Sequence, residues 1–109
     1  MDVMTSDDLA LARAIATAAR AVPGVADLSR GDFGETVTYG PKQSVAGVRV
    51  GRRGSRSVVH IHLVAEYRPE ENLRDLANRV RRQALGVAGA GECRIDITVQ
   101  DLFLTSQGT

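Results

Sequence analysis

The residues best suited to chemistry in this 109-residue chain are two histidines, one cysteine and a cluster of arginines. His60 and His62 alternate within an apolar run, so a strand puts both imidazoles on one face, about 7 Å apart. Some metal sites use that spacing, and Glu66, on the same face, could add an oxygen ligand. The set ends there. No other histidine exists, and Cys93 has the parity of the inward face of its own strand. A structural zinc usually takes four ligands, so the expectation is no metal and no cofactor, with both histidines facing solvent from an open sheet.

Nucleophilic constellations do not assemble either. None of Ser6, Ser29, Ser44, Ser55, Ser57 and Ser106 sits in a Gly-x-Ser-x-Gly elbow. The single lysine, Lys42, does not follow a phosphate-cradling Gly-x-x-x-x-Gly. A reactive thiolate needs exposure and a nearby base, which the inward parity of Cys93 denies it. Carboxylates occur singly or at helix starts, where the helix dipole accounts for them. The expectation is no catalytic residue and no enzyme.

The arginines form the one strong charge pattern. Residues 41–62 carry five basic and no acidic groups, residues 1–40 three and six, and residues 63–109 six and seven. The formal net charge of +1 is therefore an acidic body cancelling a basic hairpin. Arg52, Arg53 and Arg56 at the hairpin, with His60, His62 and Val64 on the adjoining sheet face, are the expected partner contacts. The alternative is a nucleic-acid-binding module using Arg49–Arg56. The Gly51–Gly54 string is similar to the Gly-x-x-Gly loop with which KH domains clamp a nucleic-acid backbone. That loop joins helices, however, and this one joins strands. Phe33, Tyr39, Tyr67 and Phe103 are too scattered to stack bases, so nucleic acid is not the expected partner.

Several elements must position these groups. Thr5 and Ser6 ahead of Asp7 and Asp8 predict a helix start, and Leu11, Ile15, Ala18 and Val22 recur at helical spacing until Pro23-Gly24 stops it. Val25 to Leu28 reads as a short strand, followed by a turn-rich passage from Arg30 to Ser44 in which Glu35 to Tyr39 could be a short strand outside the main order. Val45 to Val50 reads as a strand, Gly51 to Gly54 as a hairpin turn, and Ser57 to Tyr67 as the longest strand. Pro69-Glu70-Glu71 opens a second helix with a buried stripe of Leu73, Leu76, Ala77, Val80, Ala84 and Val87, ended by Gly86 and Gly89. Glu92 to Leu102 is the last strand, with Cys93, Ile95, Ile97 and Val99 inward and Arg94, Asp96, Thr98 and Gln100 outward. The predicted fold is α+β, in the rough order α-β-β-β-α-β: a small mixed sheet with two helices on one face. Residues 1–104 form one domain and residues 105–109 a flexible polar tail.

Composition agrees with an ordinary folded domain: 43% of residues are hydrophobic and 25% charged. A single cysteine makes no internal disulfide, no apolar stretch is long enough to span a bilayer, and the acidic N-terminus is unlike a signal peptide. The expected location is the cytoplasm. Thirteen arginines against one lysine, beside abundant alanine, glycine and valine, read as the codon bias of a GC-rich genome.

The succession of short motifs resembles a known family. Val22-Pro23-Gly24-Val25 after an alanine-rich helix, Gly47-Val48-Arg49-Val50, and a long strand ending Ala65-Glu66-Tyr67 occur in order. A Pro-Glu-rich helix and the run Ile95 to Leu102 follow them. Together they resemble the alkaline-shock (general stress, envelope stress) protein family of Gram-positive bacteria in its compact actinobacterial form, over about residues 8–102. The resemblance implies a non-enzymatic, cytoplasmic, envelope-stress-associated scaffold. It further implies that such a protein self-associates as a homo-oligomer and is held peripherally at the cytoplasmic membrane by a membrane-anchored partner, without inserting itself. No catalytic residue carries over.

Overall fold

The computed structural model describes residues 6–40, 42–87 and 93–103. The expected tail (105–109), the cap residue Thr5, and the expected boundaries Gly89 and Glu92 lie outside the described residues. The elements run α1 (Ser6–Arg20), β1 (Val25–Leu28), β2 (Val37–Gly40), β3 (Gln43–Ala46), β4 (Val48–Arg53), β5 (Arg56–Glu66), α2 (Leu73–Leu85) and β6 (Arg94–Phe103). The fold is α+β, as predicted, with an extra hairpin, β2–β3, in the turn-rich passage.

β5 organises the sheet. β4 pairs with its first half antiparallel, from Arg53↔Arg56 to Val48↔Ile61, and β1 pairs with its end, from Leu28↔Leu63 to Val25↔Ala65. β6 runs parallel to it from Val58↔Arg94 to Glu66↔Phe103. Since β6 pairs with the same β5 residues as both β4 and β1, those two short strands lie end to end along the opposite side. The parallel β5–β6 pair, joined through α2, is the crossover expected from the sequence.

Alternation along β5 builds the core. Val59, Ile61, Leu63 and Ala65 are fully buried, whereas Val58, His60, His62, Val64 and Glu66 are half-exposed on the other face. α1 lies over β1 and β4, α2 over β6, and the helices touch each other. Burying each large side chain of this set stabilises the fold by about 1.5–3 kcal/mol. Arg79 fastens the helix layer, reaching both the Glu71 carboxylate and the Pro23 carbonyl that follows α1.

Four local expectations are corrected. The buried side of α1 is Leu9, Ala12, Ile15, Ala16, Ala19 and Val22, with Leu11 and Ala18 only half-buried, because small alanines let the helix settle close to the sheet. α2 starts after Asn72, whose side chain accepts from the Arg74 amide at 2.7 Å, so Pro69–Glu71 is a turn before the helix and Leu73 is exposed. The strand predicted from Val45 to Val50 breaks at Gly47, whose φ is +89°. A Cβ there would run into Leu28, so only glycine fits this crossing point. The basic hairpin turn is Gly54-Ser55 alone, with φ +65° at Gly54. Gly51, Arg52 and Arg53 are paired strand residues.

Candidate functional site

The face of the sheet away from the helices carries the candidate site. Its side chains fall in cross-strand rows: Arg53 beside Arg56, then Gly51, Val58 and Arg94, then Arg49, His60 and Asp96, then His62 beside Thr98. His60 Nδ1 lies 3.8 Å from Asp96 Oδ2, and Arg94 Nε donates to Asp96 Oδ1 at 3.2 Å. Arg53, Val58, His60, Arg94 and Asp96 bound a shallow recess of about 90 Å³.

The two histidines do not converge. His62 Nδ1 is 3.0 Å from Gln100 Oε1, and Gln100 Nε2 donates to Asp32 Oδ1 at 2.9 Å. As a hydrogen bond the first contact requires the proton on Nδ1. Each imidazole is thus engaged by a different residue of β6. Among the described residues, no group of three His, Cys, Asp or Glu side chains could hold a metal ion.

The His62–Gln100–Asp32 chain also ties the loop between β1 and β2 to the open face. That loop is internally built. Ser29 Oγ accepts from the Gly31 amide, Gly34 donates to the Gly31 carbonyl, Thr36 donates to Arg30, and Glu35 Oε1 accepts from the Phe33 amide at 3.0 Å. The Glu35 carboxyl is held below the usual range, first by its own backbone amide and then by that of Phe33, with the positive fields of His62 and Arg49 assisting. At its tip Phe33 is 93% exposed.

The predicted arginines separate. Arg52 shares the helix-side parity of Val48 and Val50, its NH1 donating to Ser57 Oγ at 3.2 Å and its NH2 lying 3.4 Å from Asp8 of α1. It belongs to the join between hairpin and helix. Arg53 and Arg56 face each other across the hairpin, and neither makes a hydrogen bond or ion pair with any other described residue. Like charges directly opposite are unfavourable in a sheet. Arg49, beside His60, adds a third cation on this face. His60, His62 and Val64 stand where the sequence placed them, half-exposed on the open face.

Sequence reasoning named Arg49 only in the alternative reading of the basic hairpin, and left Asp96 and Gln100 out of the contact set although both had the right parity. It also missed the Phe33 loop, which the Gln100–Asp32 contact ties to the open face. Cys93 is half-buried at the start of β6, and burial pushes its thiol up, Arg52 pulling the other way. Such a thiol is protonated and a poor nucleophile at neutral pH. No helix among the described residues is long and apolar enough to cross a membrane. Compared with known proteins, the chain matches no family model, no curated protein and no solved structure.

Proposed function

We propose that this protein is a non-enzymatic, envelope-stress-associated scaffold of the cytoplasm, which self-associates and binds a membrane-anchored partner through its open sheet face and basic hairpin. The observation that carries the docking half is the pair Arg53 and Arg56, opposed across the hairpin with no ion pair to any described residue. An acidic partner segment would relieve that repulsion. Arg49 and the recess beside His60 extend the cationic surface, and Phe33 supplies an exposed aromatic anchor of the kind that dominates protein interfaces. The stress role and the membrane anchor come from the resemblance to the alkaline-shock family.

Arg53→Glu with Arg56→Glu tests the reading in the source cell. The expected result is loss of the protein from the membrane fraction while the purified variant keeps its melting temperature. Unchanged co-fractionation overturns it. The same two cations, which form no ion pair with any described residue, favour a second reading, sequence-independent nucleic-acid binding. Retardation of RNA or DNA that falls steeply with salt and is abolished by the same pair of substitutions would establish that reading in place of the first.

A further inference from the structure

Among the described residues, β6 is the longest strand whose backbone has no strand on one side. Its inner side is hydrogen-bonded to β5, but among the described residues no strand pairs with its outer side over Arg94–Phe103. Side chains reach this edge at the Ile95 carbonyl, which accepts from Arg81 Nε at 3.2 Å and has a second lone pair, and at the Leu102 amide, which donates to Asp101. An edge of that length without a strand is a template for another chain. We propose that this edge pairs antiparallel with the same edge of a second copy, about a two-fold axis at Ile97, so that the two sheets become one. The inference rests on the self-association in the function proposed above and names its surface. It is independent of the membrane partner.

The side chains of β6 are self-complementary about that axis. Measured against β5, Arg94 is level with Val58, Ile97 with Ile61 and Asp101 with Val64. The irregularity between Leu63 and Val64 leaves Gln100 as the extra residue of β6, which brings Asp101 onto the open face with Arg94. Arg94 and Asp101 are therefore equally far from Ile97, on opposite sides of it. In an antiparallel pair, Arg94 of each copy faces Asp101 of the other, and the contact is made twice. Arg94 uses Nε for Asp96, so its other guanidinium N–H groups can serve a second carboxylate.

The remaining rows match as well. On the helix face Ile97 meets its own copy, Ile95 meets Val99, and Cys93 meets Leu102, which is 43% exposed in the single chain. On the open face Asp96 meets Thr98. A parallel, in-register pair would instead set Arg94 beside Arg94 and Asp101 beside Asp101. Such like-charge neighbours are destabilising.

The experiment is sedimentation equilibrium of the full chain over a wide concentration range. The unaltered protein is expected to dimerise reversibly. Asp101→Arg and Arg94→Asp should each raise the dimer dissociation constant roughly tenfold or more, and the double exchange should bring it back to within about threefold. A second measurement checks the register. In the pair, Cys93 of one copy lies beside position 102 of the other, so Leu102→Cys should give a disulfide-linked dimer on mild oxidation. The unaltered chain should give none, because the two Cys93 side chains lie eight residues apart, about 26 Å along the strands. A protein monomeric at every concentration overturns both the pairing and self-association itself. A dimer that the charge exchanges do not move, and that Leu102→Cys does not link, overturns the pairing alone and places self-association on another surface.

Discussion

At the start of β4 the outer backbone groups are met from within the chain. Thr38 Oγ1 donates to the Val48 carbonyl at 2.6 Å and accepts from the Val50 amide at 3.2 Å, so one buried hydroxyl stands in for a strand. Just beyond, the Gly47 amide donates to the Thr36 carbonyl while its own carbonyl accepts from the His62 amide. Along β6, at the other side of the same sheet, ten residues run with no strand outside them among the described residues. Closing the first edge takes two buried threonines, Thr36 and Thr38, and a glycine with positive φ. At the second, among the described residues, side chains meet only the Ile95 carbonyl, through Arg81 Nε, and the Leu102 amide, through Asp101 Oδ1. Changes at the closed edge should therefore register in folding, and changes at the open one in association.

The largest expected effect is at Gly47. Gly47→Ala forces a side chain into the left-handed region and against Leu28, and should cost about 3 kcal/mol in urea unfolding. A cost below 1 kcal/mol would mean that the closed edge has slack. Thr38→Val keeps the volume but orphans the Val48 carbonyl and Val50 amide, with an expected loss of about 2 kcal/mol. Thr38→Ser should recover most of it. At the open edge, Asp101→Arg should leave the unfolding free energy of the diluted protein within about 0.5 kcal/mol, since Asp101 is exposed and, among the described residues, bonds only the adjacent Leu102 amide. A loss as large as that of Thr38→Val would erase the distinction between the edges.

The smallest effect belongs to the loop that reaches from β1 across the open face to Gln100. Folding lowers the Glu35 carboxyl, so its contribution is complete above the unfolded value and disappears as the pH falls through the folded one. The Phe33 amide resonance should titrate with a midpoint below the usual carboxylate range, and Glu35→Gln should abolish the transition. A midpoint at the ordinary value would mean that the loop is not held by this carboxylate.

Much of the architecture could be read from residue order alone, because alternation over eleven residues of β5 leaves only one face to bury. The stripe Leu76, Val80 and Ala84 placed α2 in the same way, and the parallel pairing of β6 followed from the length of the crossover. Where reading failed, the deciding partner was distant in sequence. Val45 to Val50 looks continuous until Leu28 forbids a side chain at Gly47. Thr38 looks like an exposed strand residue until β4 presents two backbone groups to it. Arg52 and Arg53 are neighbours in sequence and look equivalent, but pleating sends one to Asp8 and leaves the other on the open face. The open face itself was legible, but the β6 residues that complete it take their exact level from a bulge at Gln100 that no local pattern announces.

The pairing of Val25 with Ala65 also fixes an order of events as the chain is made. α1 and β1 come off the ribosome first, yet the strand that receives β1 ends forty residues later. Closing that long loop brings no reward until β5 has emerged. Until then the apolar side of α1, including Ile15 and Val22, has no sheet to cover. β6 follows β5 and α2, so it is laid along β5 after the other strands of this sheet have been made. A ribosome stalled before residue 66 should therefore carry an N-terminal half that proteases cut freely, and one stalled well beyond it should not.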